Sequence, residues 1–236
     1  MADPVLFLPG LMADLRVFEL PLRSLSHDRP VMVHMPVGAD RVEHLASNLL
    51  NSAPKRFAMV AHGLGGFVAL QAARSAPERV SAMVLICTTA RPEAPANAAE
   101  METHLVRAQS GGMFASIRSM TGVEALPIGA ERRDIEHLQG EMALDLGEGL
   151  FSAQMRAIQR RPDQQPGLHR LKVPALVLAG ELDPVYEPRG SEVMASLLPN
   201  ARLEVIRGAG HMLPLELPRR LSELIRGFLP EPLLLE

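Results

Sequence analysis

The stretch FAMVAHGLGGFVAL, from Phe57 to Leu70, restricts the fold more than any other part of this chain. A short apolar run ends at His62. Glycines follow at 63, 65 and 66, and apolar residues resume at once. No charged residue occurs from Phe57 to Ala73. A brief apolar run without alternation reads as a strand covered on both faces. The segment after the glycines is apolar nearly all round until Arg74, which reads as a central, buried helix. A strand that turns sharply into a buried helix belongs to a layered α/β architecture.

The rest of the chain repeats that alternation. Further apolar runs occur at Val5–Gly10, Val31–Pro36, Val80–Cys87, Ala175–Gly180 and Leu203–Gly208. The segments between most of them have helical spacing. DRVEHLASNLLNSA sets Val42, Leu45, Ala46, Leu49, Leu50 and Ala53 on one stripe, and Asp40 with Glu43 has the form of a capping box. ELPRRLSELIRGFL does the same with Leu217, Leu221, Leu224, Ile225 and Phe228. Strand–helix alternation predicts a mainly parallel sheet of about six strands with helices on both faces. One interval breaks the rhythm. Between Cys87 and Ala175 there is no convincing strand, and a plain loop of that length is uncommon. Helix-like pieces lie around Ala94–Gln109, Met113–Met120, Ala130–Leu146 and Gly149–Arg161. The reading is therefore an α/β core made of residues 1–89 and 171–236, with a helical lid inserted at 90–170.

Composition narrows the function classes. The net charge of −3 argues against a nucleic-acid or anionic-membrane partner held by a basic field. The single cysteine, Cys87, excludes an internal disulfide and suits a reducing compartment. The start, MADPVLFLPG, has no basic leader and too short an apolar run for a secretory signal, so a cytoplasmic location is expected. No stretch has the length of a membrane span. Aromatic residues make up only 3% and methionines number 13, so pockets should be lined by aliphatic and thioether groups. The closing PEPLLLE carries no signal.

Two mechanisms use a strand, a glycine turn and a helix. A dinucleotide cradle needs G-x-G-x-x-G. Gly63 and Gly65 fit, but the third place falls on Val68, and no acidic residue closes the next strand. The other mechanism is the nucleophile elbow, small-x-Ser-x-Gly, in which the central side chain projects above the sheet and its neighbours two places away must be small. Ala61 and Gly65 supply the small places. The central place is Gly63. The remaining parts are present in the required order. Asp183 follows ALVLAG and His211 follows LEVIRG, each just past the carboxyl end of a predicted strand, where ligands of open α/β sheets bind. Asp183 would hold the imidazole tautomer and His211 would carry the proton. Oxyanion donors would be the backbone N–H groups of Leu64, at the helix N-terminus, and Leu11, after the first strand. His62 has no implied catalytic part and reads as a brace for the turn. Cys87 ends a buried strand and reads as inert. The histidines lack metal spacing, so no metal and no cofactor is expected.

Together these segments resemble the α/β-hydrolase fold family over nearly the whole chain. FLPGLMADLRVF is similar to the oxyanion-loop segment of small bacterial esterase-like members, VAHGLGGFVAL to their elbow, APERVSAMVL to the next strand, and GELDP and GAGHMLPLELP to their acid and histidine segments. The chain resembles the family from its third strand onward, without the usual opening antiparallel pair. The resemblance implies carboxylic-ester or related acyl hydrolysis by Ser, His and an acid, on a small apolar ester or acyl substrate. This chain departs from the pattern where Gly63 replaces the serine. Three readings follow: a serine esterase whose nucleophile has been removed, a binding or sensing module that keeps the pocket, or an enzyme whose Asp183–His211 pair acts as a general base without a covalent intermediate. If the insert is a lid, Met113 and Met155 should face an apolar cleft, as should Met212 beside His211.

Overall fold

Every apolar run becomes a strand of one parallel sheet of six strands: β1 Val5–Leu8, β2 Val31–Val33, β3 Phe57–His62, β4 Val80–Ile86, β5 Ala175–Gly180 and β6 Ala201–Ile206. The computed structural model describes residues 2–126 and 130–230, and the tail from 231 lies outside them. β6 begins two residues earlier than the apolar run suggested, because Ala201 and Arg202 pair with Ala175 and Leu176. It is an edge strand with Arg202 and Val205 exposed, so its polar start belongs to the ladder. β1, β3 and β5 are buried at every position, as continuous apolar runs require.

The strand order is β2-β1-β3-β4-β5-β6. The chain adds β2 on one side of β1 and every later strand on the other. The direction therefore reverses between β1 and β3. In open α/β sheets, the crevice beyond the carboxyl ends at such a reversal is where ligands bind. The oxyanion-loop segment and the glycine turn leave these two strands.

Alternate strand residues feed two hydrophobic layers. Leu6, Leu8, Met59 and Leu85 pack with α2 (Val42–Ser52), α3 (Leu64–Ser75) and α7 (Pro188–Leu197). Val5, Phe7, Val60 and Val84 pack with α1 (Glu19–Leu25) and α9 (Pro218–Phe228). The α2 stripe is as expected, with Val42, Leu45, Ala46 and Leu49 buried. The capping box is not. Arg41 is the cap residue and no side chain caps the helix. Asp40 is turned instead to Arg160, 2.8 Å away in the segment between β4 and β5. On α9, Leu221 and Ile225 are buried while Leu217, at the cap, is 37% exposed.

Between β4 and β5 run α4 (Pro95–Arg107), α5 (Met113–Met120) and α6 (Ala130–Gln159). α6 breaks at Gly147 (φ 76°, ψ 164°), where the sequence separated two helical pieces. Met101, Leu105, Ile117, Phe151 and Met155 from these helices share one hydrophobic cluster with Leu6, Leu8 and Met59 of the sheet. A short helix, α8 (Leu213–Glu216), follows the loop after β6.

Candidate active site

β3 ends at His62 and α3 begins at Leu64, so the entire turn is one residue. Gly63 has φ 51° and ψ −115°. A side chain there costs on the order of 1–3 kcal/mol, and glycine avoids that cost. The turn is pinned from three sides. Gly63 N–H donates to Ile86 O at 3.1 Å, and Gly66 N–H donates to Gly63 O at 2.9 Å. The Thr88 hydroxyl also donates to Gly63 O, at 2.9 Å. The demand for small neighbours has a direct cause. A Cβ on Gly65 would lie 2.2 Å from Leu8 O, and one on Gly66 would lie 2.4 Å from Thr88 Oγ1. A Cβ on Gly63 meets no such obstacle. It would stand 3.6 Å from His211 Nε2 and 3.8 Å from Gly10 Cα, at ordinary contact distance. A side chain at 63 would therefore point at the imidazole.

The acid and the histidine meet. His211 Nδ1–H donates to Asp183 Oδ2 at 3.0 Å. The other carboxylate oxygen accepts the N–H groups of Val185 at 2.8 Å and Tyr186 at 3.0 Å. Asp183 and His211 are 3% and 6% exposed. Burial pushes the Asp183 carboxyl up. The adjacent imidazole and the hydrogen bonds from His211, Tyr186 and Val185 outweigh burial, and the pKa is lowered. An ionised Asp183 keeps the proton on Nδ1, which leaves the Nε2 lone pair on the side of Gly63. The Tyr186 ring stands edge-on to His211 at 5.4 Å.

His62 braces the turn, as read from the sequence. Its Nε2–H donates to His211 O at 2.9 Å, and the two rings lie 4.8 Å apart. Burial, then repulsion from the neighbouring His211, depresses its pKa to about 3. Unfolded histidine titrates near 6.5, so below that pH the unfolded chain takes up a proton that folded His62 refuses. The stability is present above about pH 6.5 and is lost as pH falls toward 3, at about 1.4 kcal/mol per pH unit. His62→Gln should lose less stability than the parent between pH 7 and pH 4.5, by roughly 2–3 kcal/mol in urea unfolding. Equal losses in both proteins would count against a neutral, buried His62.

Cys87 has a left-handed φ of 46°, which turns its thiol toward Gly210 O, 3.6 Å away. Ligand atoms of Cys87, Asp183 and His211 lie within 4.8 Å of one another. Hydrogen bonds account for the cluster. Burial and the Asp183 charge push the thiol pKa up, so it is held protonated and is no nucleophile. Glu216 accepts the Gly210 N–H at 2.6 Å and so anchors the His211 loop, while burial raises its pKa.

Leu64 opens α3, where an N–H has no intrahelical acceptor. Leu11 follows Gly10, whose Cα lies beside the place of a Gly63 Cβ. The structure thus brings Gly63, Asp183, His211 and the two backbone segments together at the sheet reversal. The three methionines are less convergent. Met155 and Met212 are buried in different clusters, and Met113 lines a cavity of about 460 Å³ with Phe114, Gly140 and Leu144, all between β4 and β5. A cavity of about 240 Å³ beside the Asp183 turn is lined by Met101, His104, Met120, Ile158 and Tyr186. Tyr186, Thr88 and Glu216 had no assigned role in the sequence. The available signal for Tyr186 was its being the chain's one tyrosine, three residues past the acid.

Comparison with known proteins agrees with this architecture. The family model for the alpha/beta hydrolase fold matches residues 42–218, and this chain belongs to that family. It is 25% identical to a pimeloyl-[acyl-carrier protein] methyl ester esterase of Yersinia pseudotuberculosis, over 89% of this chain and 86% of that protein. It is 27% identical to the polyketide synthase ThaQ of Burkholderia thailandensis, over 97% of this chain but only 12% of that much longer protein. Among solved structures, a thermophilic esterase from Thermogutta terrifontis superposes with a TM-score of 0.82 at 25% identity, covering 96% of this chain and 89% of that one.

Proposed function

We propose that this chain carries a carboxylic-ester (acyl) hydrolase site in which Gly63 holds the nucleophile position, so that the chain as it stands is inactive or strongly impaired. One observation carries the reading. The Nε2 face of a hydrogen-bonded His211–Asp183 pair is aimed at a glycine whose surroundings leave room for a projecting side chain. The esterase names of the relatives support the reaction class. With serine at 63, its hydroxyl attacks the acyl carbon and its proton passes to His211. The Leu11 and Leu64 amides stabilise the oxyanion, which collapses to an acyl-serine as the alcohol leaves with the proton from His211. Water, activated by His211, then releases the acid. With glycine, His211 has water alone to act upon. Nucleophile-free sites of this kind retain roughly 10³–10⁴ over the uncatalysed rate, from oxyanion donors and binding. The helices between β4 and β5 act as a lid over the reversal point, and the substrate is a small apolar ester.

The test is a panel of short and medium acyl p-nitrophenyl esters. The Gly63→Ser variant should hydrolyse at least one that the parent barely touches. A folded variant no faster than the parent on every ester removes the reading. A second reading is favoured by the intact pair: His211 as a general base on a substrate C–H or O–H. It requires turnover by the unaltered chain that His211→Ala lowers by 10²-fold or more. Turnover that survives His211→Ala rules this second reading out.

A further inference from the structure

The loop that holds the Leu11 donor is fastened to the insert rather than to the sheet alone. Met12 has φ 47°, a left-handed conformation that is strained for a methionine. Its N–H donates to Oε1 of Gln154, at 2.8 Å. The same amide donates through Nε2 to Pro36 O, at 3.2 Å. Gln154 is 0% exposed and lies in α6, 142 positions from Met12. Both ends of its amide are thus engaged between the loop after β1 and the segment after β2. α6 makes two more links to the same loop. Asp14 N–H lies 3.4 Å from Met142 Sδ, and Arg16 pairs with Asp145 at 2.7 Å. A buried amide is costly unless its groups are bonded, so this one specifies a single docking of α6 on the loop.

The geometry points to Gln154 as a positioning residue of the ester hydrolase site: it holds Met12 in its strained turn and thereby keeps the Leu11 N–H aimed at the developing oxyanion. This rests on the ester-hydrolase reading for its catalytic consequence, and on hydrogen bonds alone for its structural one. Lid and oxyanion loop become one unit, since α6 cannot swing away without releasing Met12.

Two measurements separate these layers. In the unaltered chain, Gln154→Met should accelerate hydrogen exchange of the Met12 amide by roughly 10-fold or more while β3 amides keep their protection. In the Gly63→Ser background, Gln154→Met should lower kcat by roughly 10–100-fold with KM changed little, because the loss falls on transition-state charge. Gln154→Glu keeps an acceptor for Met12 and should recover part of that kcat. Unchanged Met12 exchange in folded Gln154→Met overturns the proposal. Faster exchange with unaltered kcat in an active Gly63→Ser background overturns the catalytic role. Should Gly63→Ser itself hydrolyse nothing, the hydrolase reading fails, and the exchange result still decides whether Gln154 holds the loop.

Discussion

Gly63→Ser is expected to raise ester hydrolysis by about 10³-fold or more while lowering the melting temperature. The gain follows from restoring an attacking oxygen where the other groups stand ready. Loss of such a nucleophile costs up to about 10⁶ in turnover, so even an imperfectly placed hydroxyl should recover a large part. The Cβ of residue 63 would lie 3.6 Å from His211 Nε2, which lets a rotating Oγ come within hydrogen-bond reach. The loss follows from the backbone. At φ 51° any side chain brings roughly 1–3 kcal/mol of strain that glycine avoids. In a domain of this size each kcal/mol moves the melting temperature by about 2–4 °C. Gly63→Ala separates the two effects, since it should lose the same stability and gain no activity. Calorimetry and ester kinetics on the three proteins give the answer. Equal rates for the serine and alanine variants would break the link between this turn and hydrolysis.

Gly65→Ala is expected to be, with Gly180→Ala, among the most damaging single-methyl changes in the molecule. Its Cβ would meet Leu8 O at 2.2 Å, Leu8 C at 2.7 Å and Pro9 O at 2.8 Å. All three are backbone atoms of β1 and its loop, so no side chain can rotate away. α3 would have to withdraw from the centre of the sheet, where its residues from Leu64 to Leu70 and all of β1 and β3 are buried. The cost should exceed about 4 kcal/mol, enough to give a partly folded or aggregating product. Gly149→Ala is the control. Its Cβ meets nothing within 4 Å, and alanine favours the helix by about 1 kcal/mol. Denaturant unfolding of the two variants compares a blocked site with an open one. A Gly65→Ala protein within about 1 kcal/mol of the parent would mean that helix and strand are not in such close contact.

Much of this molecule can be read along the chain. The inner strands are continuous apolar runs because both of their faces are covered. Gly147 marks the break in α6 because a left-handed angle there stops one helix and lets another start. The order of elbow, acid and histidine follows from each lying at the end of a strand. Where the reading failed, the cause was a partner distant in sequence. Asp40 has the spacing of a cap, yet it turns to Arg160, 120 positions away.

Periodicity and turn chemistry are local, so the layered architecture and the residues at the carboxyl ends of the strands can be read from the order of amino acids alone. What those ends do together depends on how the chain packs. The tertiary structure set the strand order that places Gly10 beside Gly63, turned the free nitrogen of His211 toward that glycine, and passed the Gln154 amide between two loops. Each is a long-range juxtaposition determined by packing, and no local pattern of residues encodes it.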